Sequence, residues 1–261
     1  MKNREFATVL EQKEIASGIF SLWLQTEQIA KDAVPGQFVS VYCSDGSHML
    51  PRPISICEVN EEKTMLRLVY RTVGTGTNEF AAYHAGTEIS LLGPLGNGFP
   101  VEKAAGKRVF LIGGGIGIPP MLQLSKEIKK AGQAYCELSV LGYRNELFLN
   151  TDLEKYSQVY VATEDGSAGT KGTVLDAIKE KGLSGDVIFA CGPMPMLRAV
   201  KEYAAANNME AYISLEEHMA CGVGACLGCV CKTKNVDAHS HVHNSRICTD
   251  GPVYNAEEVE I

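Results

Sequence analysis

Glu216-Glu217-His218-Met219-Ala220-Cys221-Gly222-Val223-Gly224-Ala225-Cys226-Leu227-Gly228-Cys229-Val230-Cys231 is the stretch on which the reading of this chain turns. Cys221, Cys226 and Cys229 stand at the C-x4-C-x2-C spacing of a [2Fe–2S] site, which takes its fourth thiolate from farther along the chain. Cys248, 19 residues beyond Cys229, is the candidate for that place. A loop that wraps two irons and two sulfides turns its amides toward sulfur and leaves no room for bulk between the ligands. Gly222, Gly224, Ala225 and Gly228 meet that demand. The plain alternative is a structural zinc knot, since four thiolates also suit tetrahedral zinc. Zinc sites, however, usually pair two short knuckles, whereas here three cysteines share one loop and the fourth stands alone. Cys231 is close to Cys229, but a gap of one residue points the two side chains awkwardly for a shared cluster.

The chain has 261 residues, 45% of them hydrophobic and 21% charged, which is ordinary globular composition with length for more than one compact unit. A net charge of −7 without any Lys/Arg run argues against a nucleic-acid partner. Lys2 and Arg4 are not followed by an apolar leader core, and no apolar run of membrane-spanning length occurs, so the expectation is a cytoplasmic protein. Nine cysteines without a secretory signal point to thiol or metal chemistry rather than disulfides. Cys43, Cys57 and Cys136 lie in apolar strand-like contexts and read as core residues.

From Phe6 to Leu92 short alternating segments predict six strands: 6–10, 19–26, 37–42, 54–60, 64–71 and 88–92, with a helical break at 77–83. That pattern reads as a six-stranded antiparallel β-barrel. Gly93-Pro94-Leu95-Gly96-Asn97-Gly98-Phe99-Pro100 is the densest cluster of breakers, and the boundary between the first two units is placed there. Strands then alternate with helices: strands 108–112, 136–141, 158–162, 186–191 and 211–215, helices 120–131, 174–181 and 194–207. Alternation of this kind predicts a doubly wound α/β unit with a parallel sheet. After residue 215 regular patterning is lost, which predicts a small irregular C-terminal unit. The fold class is therefore multidomain α+β, divided 1–100, 101–215 and 216–261.

Gly113-Gly114-Gly115-Ile116-Gly117-Ile118-Pro119-Pro120 follows the first strand of the α/β unit and opens its first helix, where such folds place phosphates. Ile118 breaks the strict G-x-G-x-x-G pattern counted from Gly113, so a glycine-rich turn without a ligand stays open. Cys191-Gly192-Pro193 ends a later strand and belongs at the same carboxyl edge of the sheet. In the barrel half, Arg52-Pro53-Ile54-Ser55 offers a guanidinium that suits a phosphate, followed by a hydroxyl. Val69-Tyr70-Arg71 leads through Gly74 to Gly76-Thr77 and a helix N-terminus, another anion-friendly end. Each arginine taken by itself reads more readily as a surface charge.

These segments, in this order, resemble the ferredoxin-reductase-like flavoproteins over essentially the whole chain. More narrowly they are similar to the electron-transfer subunits of NAD-dependent (class 1B) dihydroorotate dehydrogenases. Arg52-Pro53-Ile54-Ser55 matches the flavin-diphosphate motif, Tyr70-Arg71 and Gly76-Thr77 the second FAD segment, and the Gly93–Phe99 loop is typical of these subunits. Met219–Cys226 and Cys248-Thr249-Asp250-Gly251-Pro252-Val253-Tyr254 match their cluster segments, which supports Cys248 as the fourth ligand. The resemblance implies FAD, one [2Fe–2S] cluster and NAD(H) in this chain, with an FMN-containing catalytic partner in a heterotetramer of two of each chain. Electrons would pass between that FMN and NAD through the cluster and FAD, in pyrimidine biosynthesis. The small subunit of an NADH-dependent ferredoxin:NADP oxidoreductase, or a stand-alone flavin/iron–sulfur reductase, is the alternative. The former is expected to replace one cluster cysteine with an acidic residue, whereas all four are present here.

By the same resemblance Ser55 sits near the reactive edge of the flavin, and Cys191 and Gly192 border the nicotinamide. No side chain serves as catalytic acid or base, because hydride and electron transfer belong to the cofactors. The choice of NAD over NADP also rests on resemblance: no acid follows the glycine loop at the ribose-binding distance, and Arg144 follows the second strand instead. His239, His241 and His243 alternate like ligands, but read more simply as a solvated loop.

Overall fold

The computed structural model describes residues 2–44, 46, 48–237 and 241–261. Its first half is a closed barrel of β1 (Asn3–Ala16), β2 (Ile19–Gln25), β3 (Phe38–Val41), β4 (Arg52–Val59), β5 (Met65–Arg71) and β6 (Glu88–Leu95). The strands close in the order β1-β2-β5-β4-β3-β6, every pair antiparallel. Leu22, Leu24, Leu66 and Leu68 fill the interior at the alternating positions of β2 and β5. Closure leaves the barrel no unpaired edge. The short helices α1 (Ile29–Asp32) and α2 (Thr75–Ala81) interrupt it. β6 runs three residues beyond the expected Leu92, because Gly93 fits under β3 where a Cβ would meet Val39 Cγ1 at 2.7 Å.

The second half alternates β7 (Arg108–Gly114), α3 (Pro119–Ala131), β8 (Cys136–Tyr143), α4 (Asn150–Leu153), β9 (Gln158–Thr163), β10 (Thr170–Lys171), α5 (Val174–Glu180), β11 (Val187–Cys191), α6 (Met194–Ala206) and β12 (Glu210–Ser214). The sheet order is β10-β9-β8-β7-β11-β12, parallel throughout, with one further strand beyond β12. Val109 and Leu111 of β7 join the core under α3, while Phe110 and Ile112 join the core under α5 and α6. Because both faces are covered, these strands read as continuous apolar runs. The chain leaves β7 toward β8 and returns beyond it to β11, so a crevice opens at the carboxyl ends of those strands.

Helix α3 fastens the sheet to the barrel. Gln123 Oε1 accepts from Val59 N at 2.7 Å, and Lys126 Nζ donates to Val59 O at 2.9 Å. Beside them Arg67 of β5 bonds Asp152 of α4 at 3.1 Å and faces Glu58 at 3.5 Å.

The C-terminal stretch is more ordered than its sequence suggests. β13 (Val230–Lys232) and β14 (Asn244–Arg246) form a hairpin, and β15 (Val253–Asn255) adds an antiparallel seventh strand beside β12. Cys229, Ile247, Cys248 and Val259 enter the same core as α6 and β11. Three-residue strands are too short to show a period, which is why the pattern looked lost.

Candidate functional site

A crevice of about 520 Å³ lies where the barrel meets the carboxyl edge of the sheet. Arg52, Pro53, Ile54 and Ser55 of β4, Val69, Tyr70 and Arg71 of β5, and Thr77 of α2 all line it. Thus two segments separated in sequence meet on one wall, because β4 and β5 are neighbouring strands. Gly76 lies directly behind the Arg52 side chain: a Cβ there would meet Arg52 Nε at 2.6 Å. Arg52 also donates from Nη1 to Leu50 O, so its guanidinium is held by backbone on one side and a bare glycine on the other.

Tyr70 is buried and its hydroxyl donates to Gln12 Oε1 at 3.1 Å, while Gln12 donates onward to Phe80 O and Tyr83 O. Burial pushes the phenol well above its usual range, so it stays neutral. The Thr77 hydroxyl accepts from Val73 N at 2.9 Å and Gly74 N at 3.2 Å, and so shapes the turn into α2. Arg71 is exposed and reaches across the crevice to the glycine turn, where a Cβ on Gly115 would lie 3.8 Å from its Nη2.

The four glycines of that turn differ in what surrounds them. At Gly113 a Cβ would meet Ile118 at 2.9 Å, and at Gly114 the Met196 sulfur at 2.5 Å and Pro193 at 3.0 Å. At Gly117 it would collide with the backbone of Cys191 and Gly192. Those three are glycine because the protein packs against them. Gly115 alone has room for more, since a Cβ there would meet only Arg71 Nη2 at an ordinary 3.8 Å, and it lies in the left-handed region at φ +52°. Cys191 pairs in register with Gly113, and its thiol is fully buried beside Ser214, with burial pushing it far above the normal thiol range. Gly192 is half-buried and Pro193 exposed, at the lip of the same edge.

Cys221, Cys226, Cys229 and Cys248 are drawn together as two pairs. Cys221 and Cys226 are within hydrogen-bonding reach of each other, as are Cys229 and Cys248, and Cys248 also feels the charge of Cys221. Two irons bridged by sulfide ask for this arrangement, two thiolates to each metal. Among the described residues, no three cysteines, histidines or carboxylates gather as a single ion would require. Backbone amides already point at sulfur: Val223 N and Ala225 N donate to Cys221 Sγ at 3.4 and 3.3 Å, and Gly228 N to Cys226 Sγ at 3.4 Å. Burial raises the Cys221 thiol, but the amides of Val223, Cys226 and Ala225, with the Cys226 thiol, outweigh it and bring it down to about 6, toward the thiolate a metal binds. The residues therefore fit a [2Fe–2S] cluster. Cys231 sits in the β13–β14 hairpin across from Ser245, within hydrogen-bonding reach of Tyr254.

The opposite wall of the crevice, formed by Phe38, Ile116, Ser214–Met219 and Pro252, escaped sequence reasoning. Its signal was present, since Glu216–Met219 end two residues before Cys221. Arg144 is exposed just after β8. His239 lies outside the described residues, His241 is exposed, and His243 Nδ1 is 2.9 Å from Lys234 O. No helix among the described residues is long and apolar enough to cross a membrane.

Comparison with known proteins agrees with this geometry. A family model described as the iron-sulfur cluster binding domain of dihydroorotate dehydrogenase B matches residues 216–260, and one described as an oxidoreductase NAD-binding domain matches residues 111–202. The electron transfer subunit of dihydroorotate dehydrogenase B (NAD(+)) from Geobacillus sp. (strain WCH70) is 41% identical over 99% of this chain and 99% of its own. Its counterpart from Shouchella clausii (strain KSM-K16) is 42% identical over 97% of this chain and 96% of its own. Among solved structures, a chain of the NADH-dependent reduced ferredoxin-NADP oxidoreductase superposes with a TM-score of 0.86 at 28% identity, over 97% of this chain and 89% of that one. A ferredoxin NADP+ reductase from Neisseria gonorrhoeae with bound FAD and NADP shares the fold, with a TM-score of 0.66 at 17% identity over 79% of this chain and 91% of that one.

Proposed function

Since the chain belongs to the family of electron transfer subunits of dihydroorotate dehydrogenase B, we propose that its crevice holds FAD, its glycine turn receives NAD(H), and Cys221, Cys226, Cys229 and Cys248 hold one [2Fe–2S] cluster. The chain is an NAD-linked oxidoreductase subunit that passes electrons between nicotinamide and a catalytic partner. When bound, FAD exchanges hydride with nicotinamide and the cluster carries single electrons onward.

The residues of the chain do the positioning. Arg52, braced between Leu50 O and Gly76, would hold the flavin diphosphate by charge-assisted hydrogen bonds. Val69, Tyr70, Pro53 and Ile54 would give the flavin an apolar wall, with Ser55 as the polar group on it. Gly115 would let the nicotinamide pyrophosphate approach the backbone, while Gly113, Gly114 and Gly117 keep the turn packed on the Cys191–Pro193 loop. The partner would be an FMN-containing chain that interconverts dihydroorotate and orotate, in a cytoplasmic assembly of two of each chain.

The observation that carries this reading is a shared wall: Met219 and Pro252 both line the crevice, two residues before Cys221 and four after Cys248. Flavin and cluster sites so joined suit stepwise electron transfer. The alternative, a ferredoxin:NADP oxidoreductase subunit, is disfavoured by the four intact cysteines. Coexpression with the catalytic chain tests the proposal. We expect a complex containing FAD, FMN and iron that reduces NAD with dihydroorotate only when both chains are present. NADH oxidation coupled to ferredoxin and NADP, without any dihydroorotate-dependent rate, would overturn it.

A further inference from the structure

The Gly93–Pro100 segment reads in sequence as a breaker, yet it reaches into the tail. Asn97 Nδ2 donates to Thr249 O at 3.2 Å and to Asp250 O at 2.9 Å, and Asn97 N donates to Gly251 O at 2.6 Å. Three successive carbonyls, those immediately after Cys248, thus converge on one residue. Gly96 brings the loop close enough: at its φ of +74° a Cβ would meet Pro252 Cδ at 2.5 Å and Phe38 Cε1 at 3.1 Å. Phe38 and Pro252 both line the crevice, so this contact spans flavin wall and cysteine turn. Gln37 Nε2 in turn anchors the loop by donating to Gly96 O at 2.7 Å.

The far side of the same turn is closed internally. Arg246 N and Nε both donate to Asp250 Oδ2 at 2.9 Å, and Nη2 donates to Oδ1 at 3.1 Å. Thr249 packs over the cysteine loop, where a Cβ on Gly224 would meet its Cγ2 at 2.8 Å. The Arg246–Asp250 pair therefore shapes the turn, but nothing in it relates the turn to the barrel. Asn97 supplies that relation. We propose that Asn97 is a positioning residue for the fourth cluster thiol, tying Cys248 to the wall of the flavin crevice. This rests on Cys248 being a cluster ligand.

The chemistry of the contact sets the test. Asn97→Ala removes two donors and leaves carbonyls that water can reach, because Asn97 is exposed. Asn97→Asp keeps the shape but turns a carboxylate oxygen on two carbonyl oxygens. The purified holoprotein and both variants are compared for iron per FAD, rate of cluster bleaching in chelator, and the EPR spectrum after dithionite reduction. We expect bleaching to quicken slightly in Asn97→Ala and roughly fivefold or more in Asn97→Asp, with altered g-values in the latter and FAD content unchanged in both. A residue that merely fills space would give the reverse order, Asp near wild type and Ala worse, and that result overturns the proposal. So does wild-type behaviour in both variants. Cys248→Ala separates the two ideas. If it keeps the cluster, ligand set and proposal fall together; if it loses the cluster while Asn97→Asp behaves as wild type, only the role of Asn97 falls.

Discussion

Gly117 lies so close to Cys191 that the carbonyl oxygen of Cys191 fills the space a side chain would need. The glycine turn and the Cys191–Pro193 loop are thereby locked together at the carboxyl edge of the sheet, and the one glycine left facing outward is Gly115.

Two substitutions in one turn should therefore fail differently. Gly117→Ala forces backbone apart and should destabilise the protein by about 2 kcal/mol or more, seen as a lowered thermal midpoint. Gly115→Val should leave flavin content normal but slow reduction by NADH roughly tenfold, through a strained left-handed residue and a blocked approach. Stopped-flow reduction at wild-type rate in Gly115→Val would remove this turn from the nicotinamide site.

Arg52→Ala should weaken FAD retention roughly tenfold to a hundredfold, the scale of lost charge-assisted hydrogen bonds. Absorbance in the flavin bands after dialysis reports it. Full occupancy would show that Arg52 serves only its contacts with Leu50 and Gly76.

Cys248→Ala should lose the iron–sulfur EPR signal, whereas Cys231→Ala should keep it, since Cys231 points to Tyr254 from the β13–β14 hairpin. NADH should still bleach the flavin in both. An intact signal in Cys248→Ala together with its loss in Cys231→Ala would falsify the ligand set.

Glu137, at the start of β8, gives a pH dependence. Burial raises its carboxyl to about 7, with only partial relief from the Ser125 hydroxyl at 3.2 Å and from Lys129. Between the ordinary Glu value of about 4.3 and that raised value, the folded protein holds a proton that the unfolded chain has released. Stability should therefore fall as pH rises through that window. Glu137→Gln should flatten the fall, with a smaller difference between thermal midpoints at pH 5 and pH 8. An undiminished difference would mean that other groups govern it.

The barrel and the parallel sheet were legible because their strands are long enough to show a period. In β5, Leu66 and Leu68 alternate with Met65 and Arg67; in β7, every residue from Val109 to Ile112 is apolar because both faces are covered. The segments that line the crevice, 52–55 and 69–71, and the cysteine spacing were legible as local strings. What stayed hidden was non-local. A glycine announces that a side chain is excluded, not whether a ligand or the Cys191 carbonyl excludes it. The approach of Arg52 to Gly76, and of Asn97 to the turn after Cys248, depends on segments brought together only by folding. β13 to β15 escaped notice because three residues carry no pattern.

The seventh strand has a consequence for modularity. β15 covers the edge of β12, so excising the tail would bare a row of unpaired backbone donors and acceptors, a template for association between chains. An engineer wishing to move this redox centre onto another reductase would have to carry β12 and its packing partners along with it.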